Sequence, residues 1–118
     1  MLKSKLHRAR VTETRLNYPG SILIDGALMK AAGILPYESV LIADLNNGNR
    51  VETYALPAPP DSGQVIVLGA AAKRMSKNHI VIIFGFACCT PAEAKKIKPK
   101  VVILDKRNKI INHKSKIL

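Results

Sequence analysis

Short apolar stretches separated by polar and turn residues run along most of the chain, and this pattern predicts a protein built mainly from β-strands. Residues 2–14 form a strand with polar interruptions, in which Leu6, Ala9 and Val11 suit the wall of a barrel better than a helix. The stretch 79–88 is rich in Ile and Val, which is typical of a buried strand. Further strands are predicted at 21–24, 39–45, 50–56, 64–68 and 100–104, and the residues after 104 are expected to form a tail.

Capping residues predict two short helices. Asp25 is a suitable N-cap for a helix over 26–32, and Gly33 is a suitable C′ residue to end it. The stretch Thr90-Pro91-Ala92-Glu93 has the pattern of a capping box with proline at the first helical position. A second short helix is therefore expected to follow it, as far as Lys96.

The stretch Asn46-Asn47-Gly48-Asn49 is the strongest turn signal in the sequence. Because Asn-Gly accepts the positive φ angles of a type I′ turn, we predict a hairpin that joins strand 40–45 to strand 50–56. A helical turn is expected over 70–75. Many short strands, little helix and no internal repeat together predict one mainly β domain, a closed or nearly closed barrel.

Length and composition fit a single small domain. The chain has 118 residues, of which 47% are hydrophobic, and this suits one core. Its longest apolar run, 80–89, is shorter than the about 20 residues that a membrane-spanning helix needs. Lys3, Lys5 and Arg8 interrupt any apolar segment of a signal peptide at the N-terminus. We therefore expect a cytoplasmic protein that does not enter a membrane.

Positive charge accumulates towards the C-terminus. The net charge is +11, and nine Lys or Arg residues after position 94 are opposed by Asp105 alone. One interpretation is a basic β-module that binds nucleic acid, and the other is a solvated tail. Aromatic residues make up only 4% of the chain and none lies among these basic residues, so nucleobases have nothing to stack on. We favour the solvated tail, without a nucleic-acid partner; the charge would also attract a small dianionic substrate.

The two cysteines give no sign of a disulfide or a metal site. Cys88 and Cys89 are adjacent, and a disulfide between neighbouring residues is strained. The chain has no Cys/His cluster with the spacing of metal ligands. We therefore interpret both cysteines as small apolar residues of the core or of a strand edge, and we expect no metal ion.

Four motifs follow one another along the chain: Gly20-Ser21, Arg50, Thr53-Tyr54 and Gly69-Ala70-Ala71. Alone, each would be interpreted as a turn, an exposed charge or a core residue. In this order and spacing they resemble the aspartate 1-decarboxylase family, from about residue 5 to about residue 93.

The resemblance carries expectations for the fold and the assembly. It implies a six-stranded double-psi β-barrel that assembles as a homotetramer. We accordingly divide the chain into a catalytic β-barrel domain over 1–96 and a segment over 97–118 that holds the last strand and a basic C-terminal tail.

The resemblance also implies an activity, the decarboxylation of L-aspartate to β-alanine and CO2 for pantothenate biosynthesis. Loss of CO2 leaves an electron pair, and a ketone joined to the substrate's amine accepts it. Family members make this ketone as a pyruvoyl group from a serine, here Ser21, when the chain cleaves itself between Gly20 and Ser21. The hydroxyl attacks the preceding carbonyl, an N-to-O acyl shift gives an ester, and elimination breaks the chain. A residue as small as Gly20 leaves that carbonyl open to attack.

The family match assigns roles to further residues. Arg50 would bind the side-chain carboxylate of the substrate, since a guanidinium grips a carboxylate with two hydrogen bonds. Tyr54 would return a proton to the substrate carbon, and the Thr53 hydroxyl would contribute to binding. Arg50 and Tyr54 are four residues apart and should share one strand face. The backbone amides of Gly69, Ala70 and Ala71 would contact the substrate.

Two basic side chains of the first strand match family positions near the active site. Lys5 and His7 alternate along the strand, so they should lie on one face and could complement a dianion. Charged residues on the surface of the barrel are an equally good interpretation of both.

Two departures from the family pattern leave an alternative open. Leu68 stands where the family has an Asn, and Pro19 directly precedes Gly20. A homologue that never cleaves itself, and acts as a binding or assembly protein, would fit these departures. A helper protein for maturation, which some family members need, is a further expected partner. The variant Ser21→Ala separates enzyme from binding protein, because only the enzyme would lose its function.

Overall fold

The structure is a computed structural model that describes residues 1–113. This part of the chain forms nine strands, two short α-helices and one 3₁₀ helix. In chain order the elements are β1 Leu2–Arg10, β2 Glu13–Arg15, β3 Ser21–Asp25, α1 Gly26–Ala32, β4 Ser39–Asp44, β5 Arg50–Ala58, β6 Val65–Leu68, the 3₁₀ helix Gly69–Lys73, β7 Ile80–Phe86, α2 Pro91–Ala94, β8 Lys100–Leu104 and β9 Ile110–His113.

The strands close into a small barrel. Their order is β2-β6-β3-β5-β4-β7-β1-β8-β9. Only Val11 and Thr12 separate β1 from β2, so the two form one long segment that pairs with β7 at its start and with β6 at its end. This segment and β3 to β7 complete a ring of six, and the β8–β9 hairpin extends the sheet from β1. The mainly β, six-stranded barrel predicted from the sequence is confirmed.

Two strand pairs of the ring, β2–β6 and β3–β5, are parallel. Parallel neighbours need crossover connections, so the ring is not a simple up-and-down meander. The crossovers place β3 between β5 and β6, which are distant from it in sequence. Its first residue, Ser21, is thereby held in the wall of the barrel.

Alternate strand residues fill the interior of the barrel. Leu6, Ile22, Ile42 and Ile83 come from four different strands and are fully buried in one core. Burying a side chain of this size contributes about 1.5–3 kcal/mol to the free energy of unfolding. The residues between them, including Lys5 and Leu41, therefore lie on the outer face of the barrel.

The caps predicted for α1 are confirmed. The Asp25 carboxylate accepts a hydrogen bond from the Ala27 N–H at 2.9 Å, and Gly33 ends the helix with φ 72°. The same carboxylate accepts the N–H groups of Asp61 and Gly63, so it also fixes the loop between β5 and β6. None of the helices in the described part of the chain is long and apolar enough to cross a membrane.

The predicted hairpin between β4 and β5 is present, but the predicted turn type is wrong. A type I′ turn needs two successive residues with positive φ, and only Gly48 has one, at 76°. The Gly48 N–H donates to the Asp44 carbonyl at 2.9 Å across a wider loop. Side chains complete this loop, since the Asp44 and Asn47 side chains accept the N–H groups of Asn46 and Asn49.

The prediction that all residues after 104 form a tail is also wrong. The strand β9 pairs with β8, and the turn between them contains Asn108, which is buried and has φ 58°. The Asn108 side chain accepts the Arg10 N–H at 2.7 Å and donates to the Arg10 and Gly63 carbonyls at 2.8 and 2.9 Å. These contacts with distant segments order the turn. The last five predicted tail residues, 114–118, lie outside the described residues.

Smaller differences concern element boundaries. Three predicted segments are shorter than expected: the strand over 2–14 is interrupted after Arg10, the strand over 79–88 ends at Phe86, and the helix predicted to reach Lys96 ends at Ala94. The capping box of that helix, Thr90 with Glu93, is nevertheless present as predicted. The helical turn predicted over 70–75 is the 3₁₀ helix.

Candidate active site

Ser21 lies at the boundary between an exposed loop and the wall of the barrel. The loop residues 16–20 are exposed, whereas Ser21 retains only 2% of its accessible surface. Ser21 pairs with Leu68 in the antiparallel β3–β6 ladder. Since Val65 and Val67 are part of the core, Leu68 lies on the opposite, outer face of β6, directly beside Ser21.

The backbone of Gly69 lies against the peptide that precedes Ser21. Gly69 has φ 72°, and a Cβ atom added to it would lie 2.7 Å from the Gly20 Cα atom. It would also lie 2.9 Å from the Gly20 nitrogen and from the Tyr18 carbonyl oxygen. A side chain at position 69 would therefore displace the segment Tyr18–Gly20.

Gly20 itself has an ordinary environment. Its φ angle is not in the positive range, and a Cβ atom built on it would meet nothing within 4 Å. The fold therefore does not require glycine at this position, and any requirement would come from access to the Gly20 carbonyl group.

The loop ahead of Gly20 is anchored to β2. The Arg15 guanidinium lies over the ring of Tyr18, with 5.4 Å between the guanidinium carbon and the ring centroid. Arg15 also donates two hydrogen bonds to the Glu13 carboxylate, at 2.8 and 2.9 Å. These bonds hold the pKa of Glu13 below its usual value. The Glu13 carboxylate thus holds in place the Arg15 guanidinium group that contacts the Tyr18 ring.

The strand β5 brings two of the predicted residues to one face. Ile22 of β3 pairs with Ala55 of β5, so Ser21 and Tyr54 each directly precede this pair in the parallel ladder. Ala55 belongs to the core, which places Tyr54 and, four residues earlier, Arg50 on the outer face. The prediction that the two share one strand face is confirmed. Thr53 pairs with the buried Val40 and lies on the inner side.

An open depression of about 330 Å³ lies beside these residues. Its lining consists of Arg50, Val51, Glu52, Ala70, Ala71 and Arg74. The structure thus joins the predicted Arg50 and the predicted Ala70-Ala71 in one concave surface.

Arg74 of this depression was missed by the sequence reasoning. Side-chain amides of Asn47 and Asn49 both donate to the Arg74 carbonyl at 3.0 Å. The loop that leads into Arg50 is therefore fastened to Arg74. Arg74 belongs to a basic Lys73-Arg74 pair after the alanines, but a charge in a predicted turn carries no sign of which way it faces.

Lys5 and His7 lie elsewhere on the barrel. Lys5 pairs with Phe84, Phe84 with Leu41, and Leu41 with Glu52 of β5. Three strand spacings, about 14 Å measured around the wall of the barrel, therefore lead from Lys5 to β5, so the two lie on opposite sides of the ring of six. Lys5 also lies on the outer face, so its side chain points away from β5. Within one chain the structure does not bring Lys5 and His7 to Ser21.

The environment of His7 keeps its imidazole neutral. Burial lowers the pKa of His7 below its usual value, and the positive charges of Lys5 and Arg8 lower it further. The His7 Nδ1 atom is buried and has no hydrogen-bond partner among the side chains and backbone groups that the structure describes. The Lys5 ammonium group lies 5.7 Å from the centre of the Phe84 ring.

Among the side chains that the structure describes, no group of three or more His, Cys, Asp or Glu is placed to hold a metal ion. The features that remain are a serine at the start of a strand, a glycine backbone against the preceding peptide, and a depression lined by two arginines. Concave sites with a few convergent polar groups bind small ligands, and the two guanidinium groups outnumber the Glu52 carboxylate in the lining, which favours an anion. Fold and site thus define a small β-barrel protein suited to a small anionic ligand.

Comparison with known proteins gives the family. The sequence model of the family described as "Aspartate decarboxylase" matches residues 1–111. An aspartate 1-decarboxylase of Moorella thermoacetica is 52% identical over 110 residues, which cover 93% of this chain and 86% of the relative. The aspartate 1-decarboxylase of Carboxydothermus hydrogenoformans is 49% identical over 116 residues, covering 98% and 91%. The chain belongs to the aspartate decarboxylase family and is an enzyme, which confirms the resemblance seen in the sequence.

Proposed function

We propose that this enzyme decarboxylates L-aspartate to β-alanine and CO2, with a pyruvoyl group that it makes from Ser21, and that the product serves pantothenate biosynthesis. The observation that carries the proposal is the close contact between the Gly69 backbone and the peptide ahead of the buried Ser21. The choice of L-aspartate as the substrate is supported by relatives that match nearly the whole chain and are named aspartate 1-decarboxylase.

Maturation would begin with attack of the Ser21 hydroxyl oxygen on the Gly20 carbonyl carbon. The carbon–nitrogen bond breaks, the nitrogen gains the hydroxyl proton, and an ester joins the two parts. Loss of a Ser21 Cα proton and cleavage of the Cβ–oxygen bond then release Gly20 as a carboxylate. Water replaces the nitrogen of the remaining dehydroalanine, ammonia leaves, and a ketone is formed.

The surroundings of Ser21 fit such a group. From Ile22 onwards, β3 pairs with β5 on one side and β6 on the other, so a new chain end would stay in place after cleavage. The residues ahead of it, 16–20, are exposed. Once formed, the ketone would supply an electron sink for the loss of CO2.

Other residues of the chain would bind and orient the substrate. We assign the side-chain carboxylate of aspartate to Arg50 and the proton for the product carbon to Tyr54, which lie on one face of β5. The backbone amides of Gly69, Ala70 and Ala71 would contact the substrate from the opposite side. Thr53 faces the interior, so a binding role for its hydroxyl requires the substrate to reach past the strand.

We further propose a homotetramer in which Lys5 acts from a neighbouring copy. In a single chain Lys5 lies on the opposite side of the ring of strands from β5 and on the outer face, so its side chain points away from β5. Light scattering of the mature protein together with a Lys5→Ala variant tests this assignment. We expect an unchanged tetramer with a raised KM for aspartate.

The direct test of the activity is an assay of purified protein with L-aspartate, in which β-alanine and CO2 are both measured. Equal amounts of the two products are expected, and reaction with hydroxylamine, which captures ketones, should stop the reaction. Mature, cleaved protein that releases no β-alanine from aspartate would contradict the proposed function.

Arg74 offers a prediction that the sequence alone does not make. We expect Arg74→Gln to raise KM for aspartate about 10-fold while leaving chain cleavage unchanged, because a charge-assisted hydrogen bond contributes about 1.5–3 kcal/mol. Lys73→Gln is the matched control, since it removes the same charge from an exposed neighbour outside the depression. Equal effects of both variants would mean that only the overall charge matters.

Leu68 allows a test of the alternative that the chain never processes itself. Its side chain lies beside Ser21 on the outer face, where an amide could donate a hydrogen bond to the oxyanion of the attacked carbonyl. We expect Leu68→Asn to speed cleavage of the purified precursor. Electrophoresis of samples taken over time measures the rate of this cleavage. If Leu68→Asn cleaves and the natural chain does not, even with cell extract added, the alternative is favoured.

A further inference from the structure

Tyr37 is an exposed aromatic residue with an unusual backbone conformation. Its φ angle is 68°, in a region that bulky side chains rarely adopt. Three quarters of its surface, 75%, remains accessible, so burial does not hold the side chain in place. Its ring stacks on the ring of Tyr54, with 6.1 Å between the centroids and 20° between the planes. Aromatic rings attract one another at this separation.

Backbone hydrogen bonds fix Tyr37 beside the strand that carries Tyr54. The Tyr37 N–H donates to the Ala55 carbonyl at 2.7 Å, and the Ala55 N–H donates to the Glu38 carbonyl at 3.0 Å. Ala55 directly follows Tyr54, so this pair of bonds holds the Tyr37 loop at the level of the Tyr54 ring.

The same loop is anchored to β1. The Lys3 ammonium group lies 2.9 Å from the Glu38 carboxylate and donates to the Gly33 carbonyl at 2.6 Å. The Leu35 N–H donates to the same Glu38 oxygen at 3.2 Å. The loop is thus tied to two strands, and these ties support the unusual φ angle of Tyr37.

We propose that Tyr37 is a positioning residue that holds the phenol of Tyr54 in the orientation needed for proton transfer. The inference rests on the proposed function, in which Tyr54 supplies the proton. A proton donor must be within hydrogen-bond reach of its target, so its ring must keep one rotamer. Tyr54 is only half-buried, and the stacked ring of Tyr37 restricts the rotamers that it can adopt. The aromatic ring of Tyr37 makes this contact with its face, and the Tyr37 hydroxyl group is not needed for it.

Two substitutions separate the ring from the backbone. Tyr37→Phe keeps the ring, and Tyr37→Asn removes it with a residue that tolerates a positive φ. We expect Tyr37→Asn to lower kcat about 10-fold or more with KM for aspartate changed less than about twofold, because misplacing a reacting group slows the chemical step. Tyr37→Phe should keep nearly full kcat. Leu35→Ala is the matched control, an exposed residue of the same loop, and should leave kcat unchanged.

A second measurement does not depend on activity. The chain has no Trp and three Tyr residues. Because phenol rings absorb at about 280 nm, the near-ultraviolet circular dichroism at this wavelength reports mainly on tyrosines. An immobilised Tyr54 should give a band in the mature protein and in Tyr37→Phe that is lost in Tyr37→Asn.

Three results would overturn the proposal: full kcat in Tyr37→Asn, an equal loss of kcat in Tyr37→Phe, or a loss of kcat that accompanies dissociation of the assembly in light scattering. If the natural protein makes no β-alanine, the proposed function fails instead, and the dichroism still decides whether Tyr37 orders Tyr54.

Discussion

Replacing Ser21 with alanine is expected to leave the polypeptide in one piece and without any decarboxylase activity. Alanine has no hydroxyl to attack the Gly20 carbonyl, and no ketone can then form at position 21. The fold should persist, because β3 keeps its pairing with β5 and β6 and the substitution removes a single oxygen atom. Denaturing electrophoresis and a β-alanine assay measure the two losses separately.

Ser76→Ala is the matched control for this prediction. Ser76 is exposed, and the contact that it makes in the described fold is a backbone one, in which its carbonyl accepts the His79 N–H. This variant should cleave and turn over like the natural protein. Cleavage at the natural position in Ser21→Ala would show that another nucleophile breaks the chain.

Replacing Gly69 with alanine is the second substitution with a large expected effect. The new Cβ atom would lie 2.7 Å from the Gly20 Cα atom, so the segment ahead of Ser21 must move. Forcing an extra group into a packed position costs about 1–3 kcal/mol. A displacement of about 1 Å at reacting atoms can slow a reaction about 100-fold, so we expect cleavage to slow at least that much.

Gly48→Ala separates this collision from backbone strain. Gly48 has φ 76°, close to the 72° of Gly69, but a Cβ atom added to it meets nothing within 4 Å. Both alanines therefore carry the same conformational cost, about 1–2 kcal/mol, and only the one at 69 meets Gly20. The rate of precursor cleavage in the two variants should differ widely. Similar rates in both would mean that the contact with Gly20 plays no part in maturation.

Local signals in the sequence predicted the elements that local chemistry controls. The Asp25 cap, the Gly33 stop and the capping box at Thr90 each depend on residues within one turn, and all three are confirmed. The strand positions could be predicted from apolar runs, because a strand in the wall of a barrel needs apolar residues on its buried face.

Features set by distant contacts escaped prediction. The strand β9 follows a basic stretch, and it forms because Asn108 binds Arg10 and Gly63, far away in sequence. The turn at Gly48 is local, but it depends on the carboxylate of Asp44, which lies outside the Asn-Gly pattern. No periodicity could indicate that Arg74 lines the depression or that Tyr37 stacks on Tyr54.

In the candidate site, too, the sequence predicted residues that belong to local motifs but not the contacts between distant segments. Motif order predicted Ser21, Arg50, Tyr54 and Gly69. The fold places the first three on the neighbouring strands β3 and β5, and Gly69 at the start of the 3₁₀ helix that follows β6. Motif order could not predict that the Gly69 backbone lies against Gly20, or that Lys5 lies three strands away from β5. Their assigned roles stay predictions until the variants are measured.

Intact-mass spectrometry of the mature, active protein tests the central claim most directly. We expect two pieces, residues 1–20 with an ordinary carboxyl end and a piece from position 21 onwards that begins with a ketone instead of an amine. A preparation that forms β-alanine from aspartate while every chain still carries an unmodified serine at position 21 would contradict it.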